Sequence, residues 1–479
     1  MMSQERDLII HGARVVDRSA EIDRVADVLV HDGRIAAVGV MVEADGAELL
    51  DAQGLILAPG LVDLHCHLRE PGQEYKETIA SGTLAAAHGG FTTVCCMPNT
   101  EPAIDTRSVV EYIQRSARVT GLVRVLPIGA ITRGRAGREL AEMGELTEAG
   151  VVGFSDDGSP VADSSIMRHA LEYAMTFRLP VIDHCEDPAL TTGSCMHEGW
   201  VSNLLGLPGQ PGAAEDAMVA RDIQLAELTG SRLHIAHVSS AGSVALVREA
   251  KRRGGNVTAE VTPHHLFLTH EAVMGDGARP RYDTNARVNP PLRTEADVDA
   301  CLEGLRDGTL DCIATDHAPH AVTDKLCEFD QAAAGISGIE TALGVVLTLA
   351  HEGRLDLGLA LRRMSFDAAR AFQLDRGDLA GLGTLAIGAP ADLVLIDPNE
   401  DWVVDPAEFL SQGKNTPLTG RRLHGRAVAT IYGGRIVHAD ARRTLTQPSP
   451  GGRGSFTQRA VDSVVGGGVN DASNRPSCA

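Results

Sequence analysis

The chain has 479 residues, 43% of them apolar, and its 43 basic against 64 acidic side chains give a formal net charge of −21. That size suits one large domain plus a smaller one, and the acidic balance excludes a nucleic-acid surface and obliges any anionic ligand to be caught by local cations. No run reaches the ~18 apolar residues of a membrane helix, no basic-then-apolar start suggests export, and nine cysteines without Cys-x-x-Cys spacing read as reduced thiols of a cytoplasmic protein.

In chain order, residues 1–58 read as short β-strands at 7–10, 25–30 and 34–38, with His31-Asp32-Gly33-Arg34 as a tight hairpin signal. A similar pattern returns at 391–397 and 428–437, so 1–58 and 376–442 are expected to form one small composite β-domain. Between them, residues 59–375 alternate strands with helices. Helical patterns fall at 75–88, 107–117, 165–177, 214–228 and 241–253. Strands are expected at 54–62, 92–96, 123–127, 151–155, 180–183, 233–236, 256–261 and 312–315. Eight strand–helix units point to an α/β fold, a (β/α)8 TIM-like barrel, with an open doubly wound sheet as the alternative. From 443 to 479 the chain is rich in Gly, Ser, Pro and Asn and reads as a disordered tail.

The stretch Asp63-Leu64-His65-Cys66-His67-Leu68-Arg69-Glu70-Pro71-Gly72 follows the first of these eight strands. Alternation along a strand puts His65 and His67 on one face, with Arg69 continuing the parity. In such a barrel, functional residues sit at the C-terminal strand ends. Those ends carry Met97-Pro98-Asn99-Thr100, Ser155-Asp156-Asp157-Gly158, His184-Cys185-Glu186, His237-Val238-Ser239, His264-His265 followed by Asn289-Pro290-Pro291, and Asp316-His317-Ala318-Pro319-His320. Imidazoles and carboxylates without thiolates suit Zn²⁺ or Mn²⁺. Six candidate ligands exceed what one catalytic ion needs, which suggests two ions sharing a carboxylate and activating a common water.

Taken together, these motifs resemble the class I (bacterial-type) dihydroorotases of the amidohydrolase superfamily, from the first strand to about residue 440. The resemblance implies reversible hydrolysis of the cyclic amide of (S)-dihydroorotate to N-carbamoyl-L-aspartate, the third step of pyrimidine synthesis. It makes His65, His67 and Asp316 ligands of one Zn²⁺ and His184 and His237 ligands of a second, with the bridge on Asp156 or Asp157; spacing to His184 in similar sequences favours Asp157. Asp316 would also shuttle the catalytic proton. His67, Arg69, Asn99 and His320 would lie around the substrate, the last three at its carboxylate. Asn289 and the backbone of Ala334 and Gly335 would meet the ring amide. Similar proteins usually carry Pro-Phe-Gly where this chain has Ala333-Ala334-Gly335. A homodimer and an association with aspartate carbamoyltransferase are the partners the resemblance suggests.

Other residues in these motifs read as structural or stay unassigned. His234 reads as a core histidine under the helices, His317 and Asp183 as structural, Glu70 and Glu186 as turn-fixing residues, and His264 and His265 as unassigned. Residues 321–330 read as a flexible loop over the mouth. An allantoinase- or hydantoinase-like enzyme is disfavoured by the lack of a lysine near Asp157, where such enzymes carry a carboxylated lysine, and by the Arg69/Asn99 pair. A non-catalytic scaffold for aspartate carbamoyltransferase is disfavoured by the complete ligand set.

Overall fold

The chain crosses from one sheet to another at Gly60. Ile56–Pro59 belongs to an eight-stranded sheet, and Leu61–Cys66 opens a parallel one. A Cβ on Gly60 would sit 2.3 Å from Thr92 Oγ1, so only glycine lets the two layers approach this closely. The segment 54–62, expected as one strand, is thus divided. The structure is a computed structural model that describes residues 7–275 and 281–442. The expected tail at 443–479 lies outside the described residues.

The eight-stranded sheet runs Arg435–Ala439, Arg422–Tyr432, Leu393–Val403, Ile56–Pro59, Leu8–Asp17, Ile22–His31, Arg34–Gly39, with Glu48–Asp51 pairing beside Leu8–Asp17. It draws strands from both chain ends. Alternation explains how it packs: Leu57, Leu393 and Leu395 join Ile10, Val15 and Val28 in one core, while Ile56, Ala58, Val394 and Ile396 face Leu61, Phe91 and Leu347 on the other side. Leu57 is fully buried, and its truncation to alanine would cost about 2–5 kcal/mol. The expected strand at 428–437 is instead a hairpin turning at Gly433-Gly434, because both glycines adopt positive φ.

Two larger parallel sheets hold most of the remaining strands, and a small third one pairs Met196–His197 with Gly209–Gln210. One contains Leu61–Cys66, Phe91–Cys96 and Arg124–Pro127; the other contains Phe154–Ser155, Val181–Asp183, Leu233–Ile235, Val257–Val261 and Cys312–Ile313, each paired with its neighbour in chain order. Parallel bridges join their edges at Gly129–Phe154 and at Cys66–His317. Helices Ile79–His88, Arg107–Thr120, Ser164–Phe177, Ala213–Thr229 and Ala241–Arg252 match the expected five within a few residues. Their starts are chemically marked: Thr78 and Ser81 form a reciprocal cap, Asp163 accepts from Ser165 and Ile166, and Ser240 accepts from Ser243. Val62, Leu64, Cys95, Ile128, Ile182, Cys312 and Ala314 form a separate cluster with Phe372 and Leu382, on the strand faces turned away from the main core. Among the described residues, no helix is long and apolar enough to cross a membrane.

Candidate metal-binding active site

The predicted ligands arrive from five strand ends. His65 lies on Leu61–Cys66 and His67 just beyond it; Asp157 follows Phe154–Ser155, His184 follows Val181–Asp183, His237 follows Leu233–Ile235 and Asp316 follows Cys312–Ile313. The structure brings all six together, each at most 5% exposed. Arg69, His237 and Asp316 have φ of 60°, 34° and 44°. Non-glycine residues avoid this left-handed region, and its use here turns three side chains at points where the strands have already ended. Simple parity therefore does not explain Arg69.

The distances define a tight cluster. His65 Nε2 lies 3.3 Å from Asp157 Oδ1 and 3.5 Å from Asp316 Oδ1, and His67 Nε2 lies 3.0 Å from Asp316 Oδ1. His184 Nδ1 and His237 Nε2 are 2.9 Å apart, at 3.7 Å and 3.6 Å from Asp157 Oδ1. Asp157 is thus the carboxylate that both halves share. Asp156 turns away, accepting from Ile131 N, Thr132 N and Thr132 Oγ1.

Each of three histidines is held by its far nitrogen. His65 Nδ1 meets Glu260 Oε1 at 2.7 Å, His67 Nδ1 meets Asn99 Oδ1 at 2.8 Å, and His184 Nε2 meets Glu186 Oε2 at 2.8 Å. An acceptor on one nitrogen fixes the tautomer and leaves the other nitrogen's lone pair facing the cluster. Glu186 also accepts from Gln210, so it orients His184 rather than merely fixing a turn.

The electrostatics of the cluster suit a cation. Burial opposes ionisation of Asp157, yet His65, His184 and His237 hold its pKa well below the usual carboxylate range. Burial likewise disfavours charge on His65, but Asp157, Glu260 and Asp316 raise its pKa well above the ordinary value. Even so, His65 Nε2 and Asp157 Oδ1 are buried with no hydrogen-bond partner. Two buried groups, His65/His67/Asp316 and His65/Asp157/His237, each have ligand atoms within 4.8 Å of one another and could hold a metal ion. An all-nitrogen-and-oxygen donor set with orphaned inward atoms fits such an ion.

Beside the cluster lies a cationic pocket. Arg69 is 7% exposed; its Nε donates to Pro319 O at 3.2 Å, and its terminal nitrogens have no hydrogen-bond partner among the described residues. Burial lowers its pKa to about 10. His320 Nε2 donates to Ala334 O at 2.9 Å while its Nδ1 faces Lys76 Nζ at 3.4 Å, and burial followed by Arg69 keeps the ring neutral. Arg135 donates to Asp157 O. Asn289 is exposed and makes no hydrogen bond to the other predicted residues. Gly335 N donates to Arg287 O at 2.9 Å. Its φ is +144°, and a Cβ there would lie 2.7 Å from Ala318 Cβ.

Some expectations need correction. His234 does not pack under the helices: its Nε2 meets Glu260 Oε2 at 3.1 Å and its Nδ1 meets Thr258 Oγ1 at 2.8 Å, on the same side as His65. The strand ends at Ile235, and the left-handed His237 breaks the alternation on which that reading rested. Residues 321–330 include a short helix, Val322–Lys325, whose last side chain is buried. His317 Nε2 points to Glu77 at 3.4 Å, away from the cluster, and Glu70 accepts from Ile79 N and Tyr112 Oη. His264 is buried with Nε2 unpartnered, and His265 bonds Thr262 Oγ1 and Pro290 O. Glu260, Lys76 and Arg135 are absent from the sequence expectation. Glu260 had a signal: Thr258 and Glu260 alternate with apolar residues in a strand buried on both faces.

A family model described as dihydro-orotase-like matches residues 54–243, and one described as amidohydrolase family matches 213–438. A dihydroorotase from Pelotomaculum thermopropionicum is 54% identical over 434 residues, covering 90% of this chain and 99% of that one. One from Syntrophus aciditrophicus is 51% identical over 435 residues, with the same coverage. The chain belongs to the dihydroorotase family. Among solved structures, this dihydroorotase-family chain is similar to an L-hydantoinase (dihydropyrimidinase) from Arthrobacter aurescens, at 25% identity and TM-score 0.81 over 92% of this chain and 98% of that one. A dihydropyrimidinase from Brevibacillus agri, at 24% identity and TM-score 0.78 over 92% and 96%, shares the fold.

Proposed function

We propose that the protein catalyses the reversible hydrolysis of (S)-dihydroorotate to N-carbamoyl-L-aspartate, with two Zn²⁺ ions per subunit. The observation that carries the reading is Arg69, a buried guanidinium with free terminal nitrogens beside the His67/Asp316 cluster. An uncharged ring gives such a group no counter-charge, whereas a carboxylate takes it with two parallel hydrogen bonds. Identity above 50% over 90% of this chain to relatives named dihydroorotase supports the same reading.

In this reading the strands from Leu61–Cys66 to Cys312–Ile313 form a closed (β/α)8 barrel, supported by the two edge bridges. The barrel domain spans 59–375, and 1–58 with 376–442 form the small β-domain. His65, His67 and Asp316 would hold one ion and His184 and His237 the other, with Asp157 the carboxylate within reach of both sets. When bound, the ions supply an activated water and polarise the ring carbonyl. Asp316 accepts the proton of the attacking water and passes it to the departing ring nitrogen. In the cyclising direction it takes that proton from the carbamoyl nitrogen. Arg69, Asn99 and His320 hold the carboxylate, His67 lies against the reacting centre, and Asn289 with the Ala334 and Gly335 backbone steadies the ring amide. A homodimer and contact with an aspartate carbamoyltransferase belong to the same proposal, and light scattering of the protein alone and with that enzyme reads both.

A second reading, hydrolysis of an uncharged cyclic amide, is favoured by the hydantoinase-like fold and opposed by Arg69. The test is ring closure: zinc-loaded protein with N-carbamoyl-L-aspartate, followed by NMR. Formation of dihydroorotate supports the proposal; an unchanged spectrum beside turnover of hydantoin overturns it.

A further inference from the structure

Lys325 is a buried cation that the chemistry above does not use. It ends the short helix Val322–Lys325 and is 5% exposed. Its Nζ lies within hydrogen-bond distance of four backbone carbonyls, which its three N–H groups share: Thr284 O at 3.1 Å, Arg287 O at 3.3 Å, Ala333 O at 2.6 Å and Gly335 O at 2.9 Å. These acceptors belong to two separate segments, 284–287 and 333–335, and Lys325 brings a third. The segments are cross-tied further: Thr284 Oγ1 donates to Lys325 O, Ala333 N to Asp324 O, and Gly335 N to Arg287 O.

We propose that Lys325 is the positioning residue of the substrate loop, an ammonium clasp that fixes the Ala333-Ala334-Gly335 backbone for the ring amide. The inference rests on the dihydroorotase reading for the loop's purpose, and on the hydrogen bonds alone for the clasp. The loop cannot fix itself: Ala333 and Ala334 supply neither a ring constraint nor a bulky anchor, and Gly335 is the most freely rotating residue of all. Every carbonyl of the loop is instead tied from outside, Ala333 O by Lys325, Ala334 O by His320, and Gly335 O by Lys325 and Asn415 Nδ2. Lys325 alone holds two of the three.

The clasp requires the charged form. An ammonium has three donors and no lone pair, so it suits a nest of carbonyls; a neutral amine has two donors and would aim a lone pair at an oxygen. Burial, with Arg287 next, lowers the Lys325 pKa to about 7, while Asp283, Cys327 and Asp324 raise it. His320 is the further titratable group that feels Lys325 from the opposite loop. The clasp therefore loosens as the pH rises past neutrality, and the loop with it.

The test compares the full-length zinc-loaded wild type, Lys325→Met and Lys325→Arg. Arginine stays charged at any working pH and keeps several donors. Two quantities are read: kcat and KM for (S)-dihydroorotate, and amide hydrogen exchange across 331–338 without substrate. Lys325→Met is expected to raise KM about tenfold with kcat within about threefold, and to speed loop exchange about tenfold. Lys325→Arg is expected to recover most of both. In the wild type, loop exchange corrected for the chemical rate is expected to rise between pH 6 and 8.5, whereas a central strand such as Val257–Val261 stays flat. Lys325→Gln takes the place of Lys325→Met if that variant fails to fold. Loop exchange unchanged in a folded Lys325→Met or Lys325→Gln overturns the clasp. Absence of dihydroorotate turnover in the wild type overturns the functional reading instead, and the exchange arm still judges the clasp.

Discussion

Glu260→Gln perturbs the metal cluster without touching substrate. Glu260 is fully buried and accepts from His65 Nδ1 at 2.7 Å, His234 Nε2 at 3.1 Å and His237 N at 3.4 Å. Glutamine keeps one acceptor oxygen, which His65 Nδ1–H needs so that Nε2 stays free to ligate. The new NH2 then faces His234 Nε2. His234 can take the other tautomer, because its Nδ1 partner is the Thr258 hydroxyl, which accepts as readily as it donates. The network closes again and only the negative charge is lost. Loss of such an outer partner costs about 10–100-fold in metal affinity, and the rewiring puts Glu260→Gln near the lower end, about tenfold or 1.4 kcal/mol. Glu260→Ala leaves the buried His65 Nδ1–H and the His237 backbone N–H unpaired at about 1–3 kcal/mol each, so about 100-fold or more is expected. The assay is zinc competition against a chelator, with circular dichroism to confirm folding. Zinc affinity within about twofold of wild type in both variants, or a larger loss in Gln than in Ala, would refute the positioning role.

Other perturbations probe separate parts of the site and fold. Asp316→Asn is expected to lower kcat about 10³-fold while zinc affinity falls less, since it removes the proton shuttle; turnover within about tenfold of wild type contradicts the role. Gly335→Ala forces a Cβ to 2.7 Å from Ala318 Cβ at φ +144°, so a loss of about 1–3 kcal/mol in stability and a raised KM are expected by thermal unfolding and kinetics; a neutral effect would mean the loop is built differently. His438 packs against His88 with ring centroids 4.9 Å apart, and burial, then His88, lowers its pKa to about 3. An unfolded histidine titrates near ~6.5, so the unfolded chain binds a proton that the folded chain refuses, and stability falls as pH drops from ~6.5 towards 3. His438→Phe should flatten the melting temperature over pH 7 to 4.5; slopes equal to wild type would show that His438 is not the source.

The parts of the site that were legible in the sequence are those whose residue types announce themselves at strand ends. His65, His67, Asp157, His184, His237 and Asp316 sit after short apolar runs, and the structure gathers them into one cluster. The supports were harder to read. Glu260 lies inside a strand rather than at its end, and Lys325 sits in a segment with no apolar period, so only the folded contacts reveal what they hold. His234 is a buried core histidine as expected, but the side on which it lies is hidden, because alternation fails past the strand end at Ile235. The division at Gly60 was hidden for a similar reason: 54–62 is continuously apolar, and an apolar run does not say which sheet each half joins. The C-terminal hairpin followed from Gly433-Gly434, a turn signal that the flanking β-branched residues obscured.

The most direct test of the central claim is substrate choice by the purified, zinc-supplemented protein. Loss of (S)-dihydroorotate is measured beside dihydrouracil and hydantoin, for wild type and Arg69→Met. Turnover of dihydroorotate alone by the wild type is expected. Arg69→Met should cut kcat/KM for dihydroorotate by about 100-fold, as befits two charge-assisted hydrogen bonds. Wild-type turnover of the uncharged rings in preference to dihydroorotate, or an Arg69→Met variant indifferent to the carboxylate, would contradict it.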